Sequence, residues 1–167
     1  MKFNLIDRID LIEPGKRLVA IKALSLAEEY LADHFPTFPV LPGVLMLEAL
    51  VEASAWLTRV QQNFAKSIVV LSAARNVRYA NFVAPGNIMR VDVEAMEITD
   101  GGAKFKGAGY VGDKQTVSGR LELKCFNLVE RAAYLAEADN RVREQVLQRW
   151  KLIRGPQALE NARPKMV

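Results

Sequence analysis

The chain has 167 residues, half of them hydrophobic and a quarter charged, which supports one domain with its own core and is far from a disordered composition. A single cysteine, Cys125, excludes an intramolecular disulfide and is read as a buried thiol in a strand. The formal net charge is +4, and from Val129 onward eight Lys/Arg stand against five Asp/Glu, interleaved with apolar positions as on a solvated helix rather than a nucleic-acid-binding stripe.

No basic segment followed by an apolar run opens the chain, so no signal peptide is expected and the expected compartment is the cytoplasm. NLIDRIDLIEPGKRLVAIKAL partly alternates around Pro14-Gly15, the central pair of a type II turn, and predicts a hairpin. Ser25 and Glu28 have capping-box spacing and predict a short helix. HFPTFPVLPG is a loop held in shape by Pro36, Pro39 and Pro42.

A second helix is predicted from Pro42 to about Gln62. Its apolar run, Pro42 to Leu57, approaches the length of a short membrane span, but Glu48 and Glu52 interrupt it, as suits a helix surrounded by protein. Strands follow, separated by turns at Pro85-Gly86-Asn87, Asp100-Gly101-Gly102 and Gly112-Asp113, with period-two alternation in MRVDVEA and RLELKCF. Hairpin, buried helix and a meander of antiparallel strands imply an α+β domain, one long helix laid against a curved antiparallel sheet. From Val129 to Arg154 the stripe Val142, Val146, Trp150 and Ile153 marks an amphipathic helix, stopped by Gly155-Pro156. The expected organisation is a domain over 1–128, a helical extension over 129–155 and a loose tail over 156–167.

The chemistry concentrates at the loop and the start of the central helix. The amides beginning at Gly43 have no intrahelical partner, and the helix dipole adds positive character there, a cradle for a developing oxyanion. Glycine lets a substrate atom approach the backbone. His34, the only histidine, lies nine residues upstream and is the natural general base at neutral pH. Glu48 follows Gly43 by five residues, and burial would let it keep a proton to donate. Base, oxyanion cradle and acid suit proton abstraction beside a carbonyl with loss of a hydroxyl two carbons away. A plainer reading gives His34 a hydrogen-bonding role and makes Glu48 and Glu52, one turn apart, a polar stripe at a subunit interface. That reading is preferred for Glu52. One histidine and no ligand cluster exclude the usual metal sites, and neither Ser54 nor Cys125 has a base nearby in sequence.

HFPTFPVLPGVLMLEAL resembles the active-site segment of the bacterial 3-hydroxyacyl-[acyl-carrier-protein] dehydratases of fatty-acid synthesis, which read HFPGxPxxPGVLxxEAxAQ and have the hot-dog fold. The His–Glu spacing of fourteen is the same, the opening hairpin is similar, and NVRYANFVAPGN resembles the family's RFxxPVxPGD, so the resemblance runs from about Leu5 to Leu128. It implies that His34 removes the proton beside the thioester carbonyl, Glu48 protonates the departing hydroxyl and the Gly43 amide binds the thioester oxygen. It implies a homodimer with sites shared between subunits, possible further assembly as a trimer of dimers, and acyl-carrier protein as the partner. No cofactor is implied beyond the carrier's phosphopantetheine arm. Phe35, Thr37, Leu45, Leu47, Glu52 and Phe82 are the expected lining of an acyl tunnel.

Three departures touch the motif: Thr37 replaces its glycine, Glu52 its glutamine, and Asn87 the aspartate after Pro-Gly. The rival readings are a non-catalytic acyl-binding or partner subunit of the same fold, and a thioesterase of that fold. Retention of His34 and Glu48 speaks against the first, and the histidine motif against the second.

Overall fold

The computed structural model describes residues 4–162. Strands β1 (Arg8–Glu13) and β2 (Arg17–Ala23) form the opening hairpin. In its turn Gly15 takes a φ of +72°, which only glycine adopts freely, and the Lys16 N–H donates to the Glu13 carbonyl at 2.9 Å. The short helix expected after Ser25 shrinks to a single 3₁₀ turn, Glu29–Ala32. Its capping box does not form: Ser25 Oγ accepts from the Ala27 N–H, and the Glu28 carboxylate turns to the buried Lys22.

Helix α1 (Gly43–Gln61) begins one residue later than expected, with Pro42 as its cap. Four longer strands follow: β3 (Ile68–Tyr79), β4 (Ile88–Ile98), β5 (Gly102–Val111) and β6 (Lys114–Phe126). The antiparallel sheet has the order β1-β2-β4-β5-β6-β3. β4, β5 and β6 form the expected meander, but β3 does not lead into it. It lies at the far edge against β6, in a register that sets Leu71 opposite Leu123 and Val69 opposite Cys125. Neither strand pattern encodes this neighbour, because both offer one apolar face and pairing order is decided by where α1 delivers the chain.

The sheet wraps α1 with Met89, Val91, Val93, Phe105, Leu121 and Leu123 turned inward. Glycine makes the contact close. A Cβ at Gly107 would stand 3.3 Å from Leu50 Cδ1 and 3.4 Å from Val93 Cγ1, so its absence lets the helix settle onto β5. The two buried hydroxyls of α1, Ser54 and Thr58, each donate to the carbonyl four residues back at 2.8 Å, so neither is left unpaired in the core. Cys125 is buried on β6, as its strand position implied. No helix among the described residues is long and apolar enough to cross a membrane.

After β6 the chain makes two 3₁₀ turns and forms α2 (Ala136–Leu152) and α3 (Gly155–Asn161). The expected stripe docks on the domain itself. Trp150 lies 5.8 Å from Trp56 and 5.6 Å from Phe64, ring centre to ring centre, and Ile153 is fully buried. Asp139, read as part of the solvated face, is buried and accepts from the Leu128 N–H at 2.8 Å, tying α2 to the end of β6.

Two expectations are corrected here. Gly155-Pro156 does not end the helical region: Arg154 takes a left-handed φ of +61°, and proline in the first turn then starts α3. Nor are residues 156–161 a loose tail, since Ala158 is buried and α3 packs on β1. Residues 163–167 of that expected tail lie outside the described residues. Trp150, Ile153 and Ala158 join the same apolar core as α1, so extension and domain are one packed unit.

A Cβ at Gly155 would meet the Trp150 ring at 2.1 Å, whereas one at Gly101 would meet nothing within 4 Å. Gly155→Ala is expected to destabilise by about 3 kcal/mol, the upper end of the cost of overpacking. Thermal unfolding should show this as a drop of roughly 6–12 °C, with Gly101→Ala unchanged or slightly stabilised.

Candidate active site

His34 closes the 3₁₀ turn and opens the proline loop, its N–H donating to the Tyr30 carbonyl. The loop is stitched to itself: the amides of Phe35 and Phe38 donate to each other's carbonyls, and the Val40 N–H donates to the His34 carbonyl at 3.1 Å. The His34–Phe35 peptide is cis, and the two rings stack with centres 4.3 Å apart. His34 Nδ1 lies 3.1 Å from the Val40 carbonyl oxygen. A carbonyl can only accept, so Nδ1 carries the hydrogen and Nε2 is left as the ring's basic nitrogen.

His34 lines a cavity of about 310 Å³ together with Phe35, Leu41, Gly43, Met46 and the stretch Tyr79, Ala80, Asn81 and Phe82. The Leu41 N–H donates to the Val83 carbonyl at 2.9 Å, pinning the approach to α1 against the segment after β3. Gly43 is the first residue of α1, where the amides have no carbonyl one turn before them. A side chain there would press into the Tyr79 ring at 3.1 Å, so only glycine leaves both ring and backbone amide open to the cavity. A histidine with a free basic nitrogen thus shares an apolar pocket with the positive end of a 19-residue helix. Phe38 and Phe82 meet edge to face at 5.7 Å, and both are exposed.

The two glutamates of α1 part company. Glu48 stands on the exposed side of the helix, still screened enough by surrounding protein for desolvation to hold its pKa above the usual carboxylate range. It does not line the cavity of His34 in its own chain. Glu52 is the more deeply covered acid. Its carboxylate accepts from the amides of Leu5 at 2.6 Å and Ile6 at 3.0 Å. Burial holds its pKa above the usual carboxylate range; the two donors and Arg149 of α2 oppose this, Glu48 adds to it, and the net direction stays upward.

Of the expected lining, Phe35 and Phe82 face the cavity, and Thr37, Leu45, Leu47 and Glu52 do not. The reason is angular. Met46 follows Gly43 by three residues and shares its face of α1, whereas positions 45 and 47 turn about 100° to either side. Leu45 and Leu47 pack on the apolar core instead, and Thr37 is exposed at the loop tip. Glu52 is spent on the N-terminal segment. Sequence reasoning missed Leu41, Met46 and the wall from Tyr79 to Asn81. Helical spacing from Gly43 signals Met46, but nothing local signals the wall, which depends on β3 lying at the sheet edge beside the helix start. Among the described residues no group of three His, Cys, Asp or Glu side chains gathers as metal ligands would.

A family model described as a FabA-like domain matches residues 1–120. The 3-hydroxyacyl-[acyl-carrier-protein] dehydratase FabZ of Clostridium kluyveri is 38% identical over 119 residues, covering 71% of this chain and 83% of the relative. Among solved structures, a dehydratase heterocomplex, ApeI:P from Xenorhabdus doucetiae, superposes with a TM-score of 0.63 at 18% identity over 80% of this chain and 90% of that one. A thioesterase from Pseudomonas aeruginosa superposes with a TM-score of 0.57 at 12% identity over 71% and 80%. At such identities the two structures speak for the fold alone, and that fold is the hot-dog, a long helix wrapped by an antiparallel sheet. The match across most of the chain carries the family: the chain belongs to the FabA-like family, with the FabZ dehydratases among its relatives.

Proposed function

We propose that the chain dehydrates (3R)-3-hydroxyacyl groups carried on acyl-carrier protein to trans-2-enoyl groups. The observation that carries this reading is the shared pocket of His34 and Gly43, with His34 Nδ1 committed to the Val40 carbonyl. A thioester carbonyl directed at the Gly43 amide would have its oxygen at the positive end of α1, where charge develops as the neighbouring C2–H is broken. His34 Nε2 takes that proton. The electron pair forms the C2=C3 double bond, the C3–O bond breaks, and Glu48 donates its proton so that the hydroxyl leaves as water. Desolvation of Glu48 supports the last role, since it favours the protonated form that a donor needs. The FabZ relatives, named for this reaction, support it by sequence.

The site is proposed to be completed across a homodimer. Within one chain Glu48 does not line the His34 cavity. β3, twelve residues long, is an outer strand of the sheet with only β6 as its neighbour, and it leads directly into the cavity wall at Tyr79. An edge of that length is a ready template for a second copy, and a two-fold contact there would bring the same wall together twice. The reaction needs no metal or organic cofactor beyond the carrier's own phosphopantetheine arm.

Mass spectrometry of 3-hydroxyacyl-carrier-protein substrates of several chain lengths should show loss of one water. His34→Ala and Glu48→Gln should each lower the rate by about 10²–10⁴-fold. Free carrier thiol without an enoyl product would replace this reading with a thioesterase, and bound, unaltered substrate at every length would replace it with an acyl-binding subunit. Mixing the two inactive variants under conditions that exchange subunits tests the shared site. Random mixing should restore about a quarter of the wild-type rate, because each mixed dimer keeps one intact site. No restoration would place both groups in one chain. Dialysis against a chelator should leave the wild-type rate unchanged.

A further inference from the structure

Among the polar groups of the cavity, the phenol of Tyr79 has no task in the acid–base steps. Tyr79 is the last residue of β3, and its register partner on β6 is Val117, which is fully buried. Residues directly opposite in adjacent strands share a face, so the Tyr79 ring turns toward α1 and not toward the outer surface of the sheet. The next residue is tied down as well, the Ala80 N–H donating to the Thr116 carbonyl at 2.8 Å. The ring arrives against Gly43. A Cβ on that glycine would stand 3.1 Å from Cε1, 3.2 Å from Cδ1 and 3.4 Å from Cζ of Tyr79. One edge of the ring thus lies on the first residue of the helix, and the phenol oxygen is a single bond beyond Cζ. Tyr79 and Gly43 line the cavity that His34 lines. Tyr79 is half exposed, and among the described residues its hydroxyl has no hydrogen-bond partner.

We propose that the Tyr79 hydroxyl is a second donor to the thioester oxygen, beside the Gly43 amide. A phenol supplies one O–H, and this one stands at the helix end where negative charge gathers on the oxygen as the C2–H bond is broken. It keeps its proton throughout, so no bond to it is made or lost. One donor comes from the backbone of α1 and the other from a side chain of β3, and together they fix the carbonyl in a single orientation toward His34 Nε2. NVRYANFV has tyrosine where the dehydratase pattern RFxxPVxPGD has phenylalanine, so the ring suits the position in either case and the oxygen is what this chain adds. The identity of the ligand rests on the function proposed above, but the donor needs only a thioester in the pocket.

The test reads the carbonyl and the rate separately, on the full-length protein. A saturated acyl-pantetheine thioester labelled with carbon-13 at the carbonyl has no 3-hydroxyl to lose, so it binds without dehydrating. Isotope-edited infrared spectroscopy then reports how strongly its oxygen is hydrogen-bonded. The carbonyl band should fall in frequency on binding to wild type and fall by distinctly less in Tyr79→Phe, which removes the oxygen and keeps the ring. With 3-hydroxyacyl-pantetheine thioesters, Tyr79→Phe should lower kcat by about 10–100-fold with little change in KM. That is at or below the usual cost of one oxyanion donor, because the ring is half open to water. Tyr134 is an exposed phenol that does not line the cavity, and Tyr134→Phe should leave both readings unchanged. A carbonyl band that is the same in wild type and Tyr79→Phe overturns the proposal and leaves the phenol to solvent. An effect of Tyr79→Phe confined to KM overturns it too, since the donor would then serve binding alone. A carbonyl that responds to Tyr79 in a protein that turns over no 3-hydroxyacyl thioester would sink the proposed function and leave this inference standing.

Discussion

Everything in this molecule follows from the need to cover a 19-residue helix that is apolar on nearly every side. A single sheet can cover only one side of such a helix, however strongly it curves. The rest of α1 is covered by the segment around Leu5 and Ile6, and by Trp150 and Ile153 of the C-terminal extension. Burial of those large side chains contributes roughly 1.5–3 kcal/mol each by area, which is ample reason for the extension to dock instead of trailing in solvent. The start of the helix opens onto a cavity, and the candidate site is there.

That opening explains why the proposed chemistry concentrates at Gly43. A helix end inside a protein normally has its free amides satisfied by a side chain, yet Pro42 caps α1 without offering one. The free amides and the lone Nε2 of His34 share one apolar pocket, where hydrogen bonds and charge act more strongly than in water. His34 is itself fixed by the stitched loop between it and Val40, so base and helix end are held by a common piece of backbone.

What could be read from the residues was whatever is settled locally. Pro14-Gly15 specified its turn, the apolar run specified α1, and strict alternation specified β4 and β6. The motif around His34 likewise announced itself. What could not be read depended on partners remote in the chain. The edge position of β3 is set by where the helix returns it. Asp139 looked like one more surface charge until β6 was placed beside it. Ser25 and Glu28 carried the pattern of a helix cap, but a buried Lys22 drew the glutamate away, a tertiary ion pair prevailing over a weak local preference. Glu52 illustrates the limit best, since its partners lie 47 and 46 residues upstream.

The two ends of the described chain are laced to each other. The Ile9 N–H donates to the Ile153 carbonyl at 2.8 Å, Arg149 holds the Ile6 carbonyl, and α3 lies along β1. The sheet edge at β1 is therefore covered from within the chain, whereas β3, at the opposite edge, pairs among the described residues with β6 alone. Opening the first strand requires lifting the last two helices, and lifting those helices uncovers Trp56. Local fraying, common at chain ends, is opposed here by coupling: β1 and the two C-terminal helices of the described chain hold one another on the core.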